Sequence, residues 1–338
     1  MALFEVHNII CGAFRAHFAS LRSTHPGRSQ MEFTSHDGKT IWYKLWEAPS
    51  PRAVIQIMTG LAEVADYYED FANEMVKAGY TVALHEYRGH GRTRADYGES
   101  NLFRNYARDG ASLNTILRTA YPGLPVVLFA HSLGTTVSQI AIYEKLTQWD
   151  GIVYTGPSHA VIDPERKEYL LGVTDRDILL HGDDATNVMI YPLVFGRLNA
   201  PFASGRRTGG TPDRSSFAFI TSDLERRKWL TALPYENPSY TNRFFRDFII
   251  MQADLAIHET LENTQPPLTD VPVLLLTGSD DVTAANGTYG DTQAQLLRDA
   301  GCRDVTSIVY PRLRHSLLQE TERGKVTADI LSWLEHRF

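Results

Sequence analysis

Cysteine is nearly absent: the 338 residues include two, Cys11 and Cys302, and neither has a neighbour at C-x-x-C spacing. That excludes a disulfide framework and a cysteine-based zinc site. It suits a reducing compartment, so a cytoplasmic location is expected, with room for membrane association. An excess of basic charge is also missing. Lys and Arg number 33 against 40 Asp and Glu, for a net charge of −7. Nucleic acid is therefore not an expected partner, because phosphate binding needs a dominant basic surface. The basic clusters are short, Arg206-Arg207 and Arg226-Arg227-Lys228, and read first as a solvated face and second as a site for an anionic head group. No apolar run reaches the roughly 18 residues of a membrane span. The first residues lack a basic leader followed by a long apolar block, so no signal peptide is expected. There is no internal repeat and no low-complexity tract.

What is present is an ordinary globular composition, 43% hydrophobic and 22% charged. The length fits one large domain with an insertion, or two domains. Residues 1–30 read as an amphipathic helix and a loop. Leu3, Val6, Ile10, Phe14, Phe18 and Leu21 fall on one stripe. Such a stripe packs on the body or a second subunit, or touches a membrane surface. The oligomeric state is not legible. From Met31 the signals alternate. "MEFTS" and "TIWYKLWEA" form a hairpin around Asp37-Gly38. "AVIQIMTG", "YTVALHEY", "PVVLFA", "DGIVYTG", "VPVLLLTG" and "DVTSIVY" read as strands. Helical patterns separate most of them: "YYEDFANEMVKAGY", "NYARDGASLNTILRTAY", "TTVSQIAIYEKL" and "TQAQLLRDAG", with a last helix through "KVTADILSWLEHRF". This is the pattern of βαβ units, hence α/β class with a mostly parallel sheet covered on both faces. The alternation breaks over residues 157–267. That stretch reads as an inserted helical cap, with helices at "SDLERRKWL" and "TNRFFRDFIIMQADLAIHETL". The core is then 31–156 and 268–338. The apolar runs "MIYPLVF" and "FFRDFII" suit the insertion's own core better than an acyl pocket.

Three loops after strands carry chemistry, where open α/β sheets place their sites. "VVLFAHSLGTT" resembles the G-x-S-x-G elbow around Ser132, with Ala130 in the first glycine position and Gly134 in the second. "LLLTGSDDVTA" offers Asp280 and Asp281, and "IVYPRLRHSLLQE" offers His315. A serine hydroxyl needs an imidazole to take its proton, and a carboxylate on the other ring nitrogen to fix the tautomer. The bland reading of Ser132 is a helix N-cap. For His315 it is a surface histidine, although Ser316 and Gln319 fit a capping box that would set it just before a helix. Arg88 and His90 in "RGHG" read as parts of a glycine-rich turn, with the arginine tying loops. Glu63 and Glu320 read as carboxylates that hold loops, and His131 as pointing away from Ser132.

Four blocks together resemble the monoglyceride lipase and lysophospholipase branch of the α/β-hydrolase superfamily. They are "YRGHGRT", "AHSLG", "LLLTGSDD" and "RHSLLQE". The resemblance covers about residues 31–338, loosely over the insertion. It implies the α/β-hydrolase fold, with Ser132 as nucleophile, His315 as base and Asp281 as acid, three after Gly278. It implies an oxyanion hole from the backbone N–H groups of Leu61 and Leu133. It implies no metal and no organic cofactor. One block departs from the family. Where H-G-x-G-E-H is usual, this chain has "TGLAEV", Thr59 to Val64. Ala62 stands in place of a glycine and takes positive φ less easily. The function so implied is hydrolysis of a small-molecule acyl ester through an acyl-serine, by a carboxylesterase or a monoacylglycerol lipase or lysophospholipase. A thioesterase, acyltransferase or aminopeptidase would use the same trio. A non-catalytic pocket-binding protein would need the trio to be idle.

Overall fold

A computed structural model describes residues 28–93, 101–158, 164–187, 189–190, 192–233, 240–260 and 269–338. The amphipathic helix expected in the first 27 residues lies outside them. Eight strands form one sheet: β1 Arg28–Thr34, β2 Thr40–Trp46, β3 Ala53–Met58, β4 Tyr80–His85, β5 Val126–His131, β6 Gly151–Thr155, β7 Val273–Gly278 and β8 Val305–Tyr310. Their order is β1-β2-β4-β3-β5-β6-β7-β8. β1 pairs β2 antiparallel and β2 pairs β4 antiparallel. Every pairing from β4 to β8 is parallel. β1 begins at Arg28, so the last three residues of the expected loop are strand.

The helices follow from the pattern. α1 Glu69–Lys77 enters through a short 3-10 helix at Ala65–Tyr68. It stops where Gly79 takes φ 87°. α2 Leu102–Ala120 starts earlier than its apolar spacing suggests, and α3 Leu133–Tyr143 follows β5 directly. Residues 159–163 lie outside the description, and then come α4 Pro164–His181, one π-helical turn at Pro192–Gly196, α5 Arg197–Ala203, α6 Leu224–Thr231 and α7 Asn242–Thr260. α8 Thr288–Asp299 and α9 Arg323–Glu335 close the chain.

α4 and α5 are not legible in the pattern. α4 buries Leu170 and Thr174 but leaves Tyr169, Leu179 and Leu180 exposed, so no apolar stripe marks it. α6 is capped by Asp223, whose side chain accepts the N–H groups of Glu225 and Arg226.

β3, β4, β5, β6 and β7 are buried along their whole length, as continuous apolar runs between two helical layers must be. α1 and α9 cover one face through Phe71, Met75, Val326 and Trp333. α2, α3 and α8 cover the other through Tyr106, Leu113, Val137 and Ala294. Phe244, Phe245 and Ile249 of α7 join this second core and are fully buried. Within "FFRDFII" these three residues thus share a core with α2, Phe244 meeting Phe103, while Arg246 is exposed. Among the described residues no helix is long and apolar enough to cross a membrane. Cys302 is buried with a free thiol.

Candidate active site

Ser132 sits where β5 turns into α3, at φ 50° and ψ −117°. A non-glycine residue there is outside the ordinary wells, at a cost of order 1–3 kcal/mol. Close packing enforces the turn. A Cβ on Gly134 would lie 2.2 Å from the Met58 carbonyl oxygen, so only glycine lets α3 approach the end of β3. Ala130 is fully buried in β5, and its single methyl is accommodated there. The Ser132 N–H donates to the Thr155 carbonyl at 3.1 Å. Its hydroxyl makes no capping bond to α3. Instead Oγ lies 2.8 Å from Nε2 of His315.

His315 is 3% exposed, in the loop after β8. Its Nδ1 is 2.9 Å from Oδ2 of Asp281, which is fully buried. Thr283, which the motifs do not single out, joins them. Its hydroxyl donates to Oδ1 of Asp281 at 2.7 Å and lies 2.7 Å from the same Nδ1. Its N–H also donates to Oδ1, at 2.8 Å, as in an Asx-turn. Such a turn needs only an Asp and a following loop, so nothing in the sequence marks it. Oδ2 is thereby left for the imidazole, Nδ1 carries the proton, and Nε2 is free to accept from Ser132. Burial pulls His315 toward the neutral form, but the adjacent Asp281 charge and hydrogen bond outweigh it and raise its pKa. For Asp281, burial raises the pKa and the His315 charge and hydrogen bonds lower it, with a net lowering. Asp280, one residue away, is part-buried and engaged elsewhere. Its carboxylate meets Arg207, from between β6 and β7, at 3.2 Å.

His131 is turned aside from Ser132. Its Nδ1 is 2.9 Å from the Thr155 carbonyl and its Nε2 is 3.1 Å from Ser316 Oγ. Burial lowers its pKa, and the ring stands 4.8 Å from that of His315. The Ser316 hydroxyl therefore makes no capping box. Leu317–Gln319 is a 3-10 turn with no side-chain cap, and Gln319 instead reaches the Tyr67 carbonyl at 2.8 Å. A 3-10 turn closes with backbone bonds, here Gln319 N–H to Ser316 C=O at 2.8 Å. That leaves the serine side chain to the neighbouring histidine.

The chain between β6 and β7 is fastened to the same loop. The N–H groups of His315 and Ser316 donate to the carbonyls of Phe219 and Ile220 at 3.2 and 2.9 Å. The Phe219 ring stacks on His315 with centroids 5.9 Å apart. Glu320 is fully buried and accepts from Ser222 Oγ and the Arg314 N–H, at 2.6 and 2.9 Å. Arg227 is 6% exposed and pairs with Asp213 at 2.8 Å, and Arg314 meets the same carboxylate at 3.2 Å. The expected solvated basic face therefore holds for Lys228, at 74% side-chain exposure, but not for Arg227.

The "TGLAEV" loop follows β3. β3 pairs β5 with Met58 opposite Ala130, so this loop and the Ser132 turn leave adjacent strand ends. Gly60 N–H donates to Glu63 Oε2 at 2.7 Å, and the Tyr68 hydroxyl donates to the same oxygen at 2.5 Å. Ala62 does adopt the left-handed region, φ 62°, at a cost of about 1–2 kcal/mol for a residue with a Cβ. Its N–H donates to Nε2 of His90 at 3.0 Å. Between these two committed amides, the Leu61 N–H has no acceptor among the described residues. Leu133 is the first residue of α3, so its N–H has no intrahelical acceptor. Arg88 is fully buried, bidentate to Asp109 at 2.7 and 2.8 Å and bonded to Asp37 at 2.5 and 2.9 Å. The hydrogen bonds from Arg88 pull Asp37 down to a pKa of about 2. Among the described residues no group of His, Cys, Asp or Glu is arranged to hold a metal ion.

A hydroxyl at a helix N-terminus, bonded to an imidazole backed by a carboxylate, has the chemistry to attack a carbonyl, and an amide with no other acceptor is the kind of group that stabilises an oxyanion. A family model described as "Serine aminopeptidase, S33" matches residues 49–322. The monoglyceride lipase of Rattus norvegicus is 23% identical over 305 residues, which cover 89% of this chain and 88% of that protein. The monoglyceride lipase homolog of Monkeypox virus is 29% identical over 122 residues, 36% of this chain and 44% of that protein. Among solved structures, a thermostable carboxyl esterase from Bacillus coagulans superposes with a TM-score of 0.76 at 21% identity, over 93% of this chain and 99% of that one.

Proposed function

We propose a reaction from the premise that this chain belongs to the S33 serine aminopeptidase family of α/β hydrolases, whose model spans most of its length. It is a serine hydrolase of small-molecule carboxylic esters. Ser132 is the nucleophile, His315 the general base and Asp281 its orienting acid. The observation that carries this is the Ser132 hydroxyl, 2.8 Å from an imidazole instead of capping its helix.

Ser132 Oγ attacks the acyl carbonyl carbon as its proton passes to Nε2 of His315. The carbonyl oxygen becomes an oxyanion that accepts from the Leu61 and Leu133 N–H groups. Loss of one such donor typically costs roughly 10²–10³ in rate. The intermediate collapses, the C–O bond to the alcohol breaks, and Nε2 returns the proton to that leaving oxygen. Water then repeats the sequence on the acyl-serine and releases the acid. Asp281 holds Nδ1–H and stabilises the imidazolium.

The finer reading is a single-chain acyl ester, a monoacylglycerol or lysophospholipid. Its support is that several relatives matched along most of their length are monoglyceride or monoacylglycerol lipases, although a non-heme haloperoxidase of Rhodococcus erythropolis is matched as fully. We assign residues 157–267 as a cap that walls the acyl site, with Phe219 against the His315 ring.

A fluorophosphonate probe tests the nucleophile. The folded protein is expected to be labelled at Ser132, and Ser132→Ala to be unlabelled. An unlabelled folded wild type refutes the reading. A p-nitrophenyl ester series then tests the substrate, and a preference for acetyl over octanoyl counts against a lipid.

A further inference from the structure

The "RGHG" turn has no part in the reaction as written, yet it touches the machinery at one atom. His90 is 2% exposed. Its Nε2 accepts the Ala62 N–H at 3.0 Å, while its Nδ1 faces the Arg88 carbonyl at 3.2 Å. Only a neutral imidazole, protonated at Nδ1, satisfies both contacts. Burial supplies that state, pushing the His90 pKa down to about 4.

The imidazole is itself held from several sides. The His90 N–H donates to the Tyr87 carbonyl at 2.8 Å, and the Thr93 N–H donates back to the His90 carbonyl at 3.0 Å. The ring stands edge-on to Tyr87 and Tyr106, which stack on each other at 4.5 Å. The Tyr106 hydroxyl donates to the Arg88 carbonyl at 3.1 Å. Arg88 is clamped by Asp37 and Asp109. The residue two before this turn, Glu86, grips the loop a second time, three residues on from Ala62, by accepting the Ala65 N–H at 3.0 Å.

What needs holding is Ala62. A residue with a Cβ is disfavoured at φ 62° and left alone would swing to the ordinary side of φ. That rotation would carry the preceding peptide, and with it the aim of the adjacent Leu61 N–H. We propose that His90 is a positioning residue of the oxyanion hole, keeping Ala62 in the left-handed conformation through its Nε2 and thereby directing Leu61. The inference rests on the proposed acyl-serine reaction, in which Leu61 is a donor.

The consequence is a coupling between positions 62 and 90. A glycine in place of Ala62 adopts positive φ without strain, so it should make the imidazole less necessary. The test is a double-mutant cycle of His90→Leu and Ala62→Gly in the full chain. It is read as kcat and KM on p-nitrophenyl butyrate, with the rate of fluorophosphonate labelling and a thermal melt. His90→Leu is expected to lower kcat by about 10–100-fold with KM within about threefold, as a misdirected oxyanion donor should. The same substitution made in the Ala62→Gly chain should cost at most about fivefold, because the glycine keeps the loop shape unaided. If His90→Leu does not fold, the cycle is run with His90→Gln and the same rescue is expected. A folded position-90 variant with wild-type kcat overturns the proposal, and so does an equal loss in both backgrounds. Labelling of the wild type at Ser132 separates the two levels. If it fails, the acyl-serine reading falls. If it succeeds without coupling, only the role of His90 falls.

Discussion

Replacing Asp281 by Asn tests the acid, and the structure dictates which way the new amide faces. Three donors converge on Oδ1: Thr283 N–H at 2.8 Å, Thr283 O–H at 2.7 Å and Ala284 N–H at 3.3 Å. The Asn oxygen must take that place, because an NH2 there would face three donors. The NH2 then occupies the Oδ2 position, 2.9 Å from Nδ1 of His315. A donor at that point forces Nδ1 to accept, which moves the imidazole proton to Nε2. Nε2 can then no longer take the proton of Ser132. The charge that raises the His315 pKa is lost as well. A wrong tautomer in this position costs about 10⁴ in kcat, which is about 5 kcal/mol of transition-state stabilisation. Asp280→Asn loses only a part-exposed pair with Arg207 and should cost less than about threefold. The assay is kcat on p-nitrophenyl butyrate at pH 8, with thermal melts to show that both variants fold. A folded Asp281→Asn keeping more than a tenth of wild-type kcat refutes the reasoning, and so does a larger loss in Asp280→Asn.

Two further outcomes follow from the same geometry. His315 must be neutral to act, and its folded pKa is raised, so activity is absent below that pKa and appears as pH increases through it. The labelling rate of Ser132 between pH 5 and 9 should therefore show a midpoint above that of a free histidine, about 6.5, and a midpoint below it would contradict the Asp281–His315 contact. Asp213→Ala strips the shared carboxylate from two guanidinium groups, of Arg227 and Arg314, that are each less than a tenth exposed. Urea denaturation should register a loss of about 2 kcal/mol, below the value for a fully buried pair because Asp213 is itself part-exposed. kcat should fall too, since the strap that accepts the His315 N–H is loosened. Unchanged stability would mean the cluster is better solvated than its geometry implies.

Much of the sheet was legible because its inner strands are apolar without interruption. "AVIQIM" and "VLLLTG" must lie between two helical layers, and they do. α4 was illegible for the converse reason, since its exposed Leu179 and Leu180 break any stripe. Within the site, the order of Ser132, Asp281 and His315 and their places after strands were readable. Thr283 was not, because its role needs the loop folded. The capping box at Ser316 was misread. A serine and a glutamine three apart fit that motif in sequence, but their side chains find partners in distant elements, His131 of β5 for Ser316 and Arg226 and Tyr67 for Gln319.

Local pattern alone determined the alternation of strand and helix, the glycine at 134 and the chain order of the proposed triad. Each depends on neighbours a few residues away. Tertiary structure decided what depends on convergence. Asp280 and Asp281 are adjacent in sequence, yet one meets Arg207, from between β6 and β7, and the other His315, because the loop turns between them. Ala62 took a glycine's conformation because a histidine 28 residues on meets its amide. Sequence spacing carries no term for such a contact. It arises only when the strand ends bring their loops to one edge of the sheet.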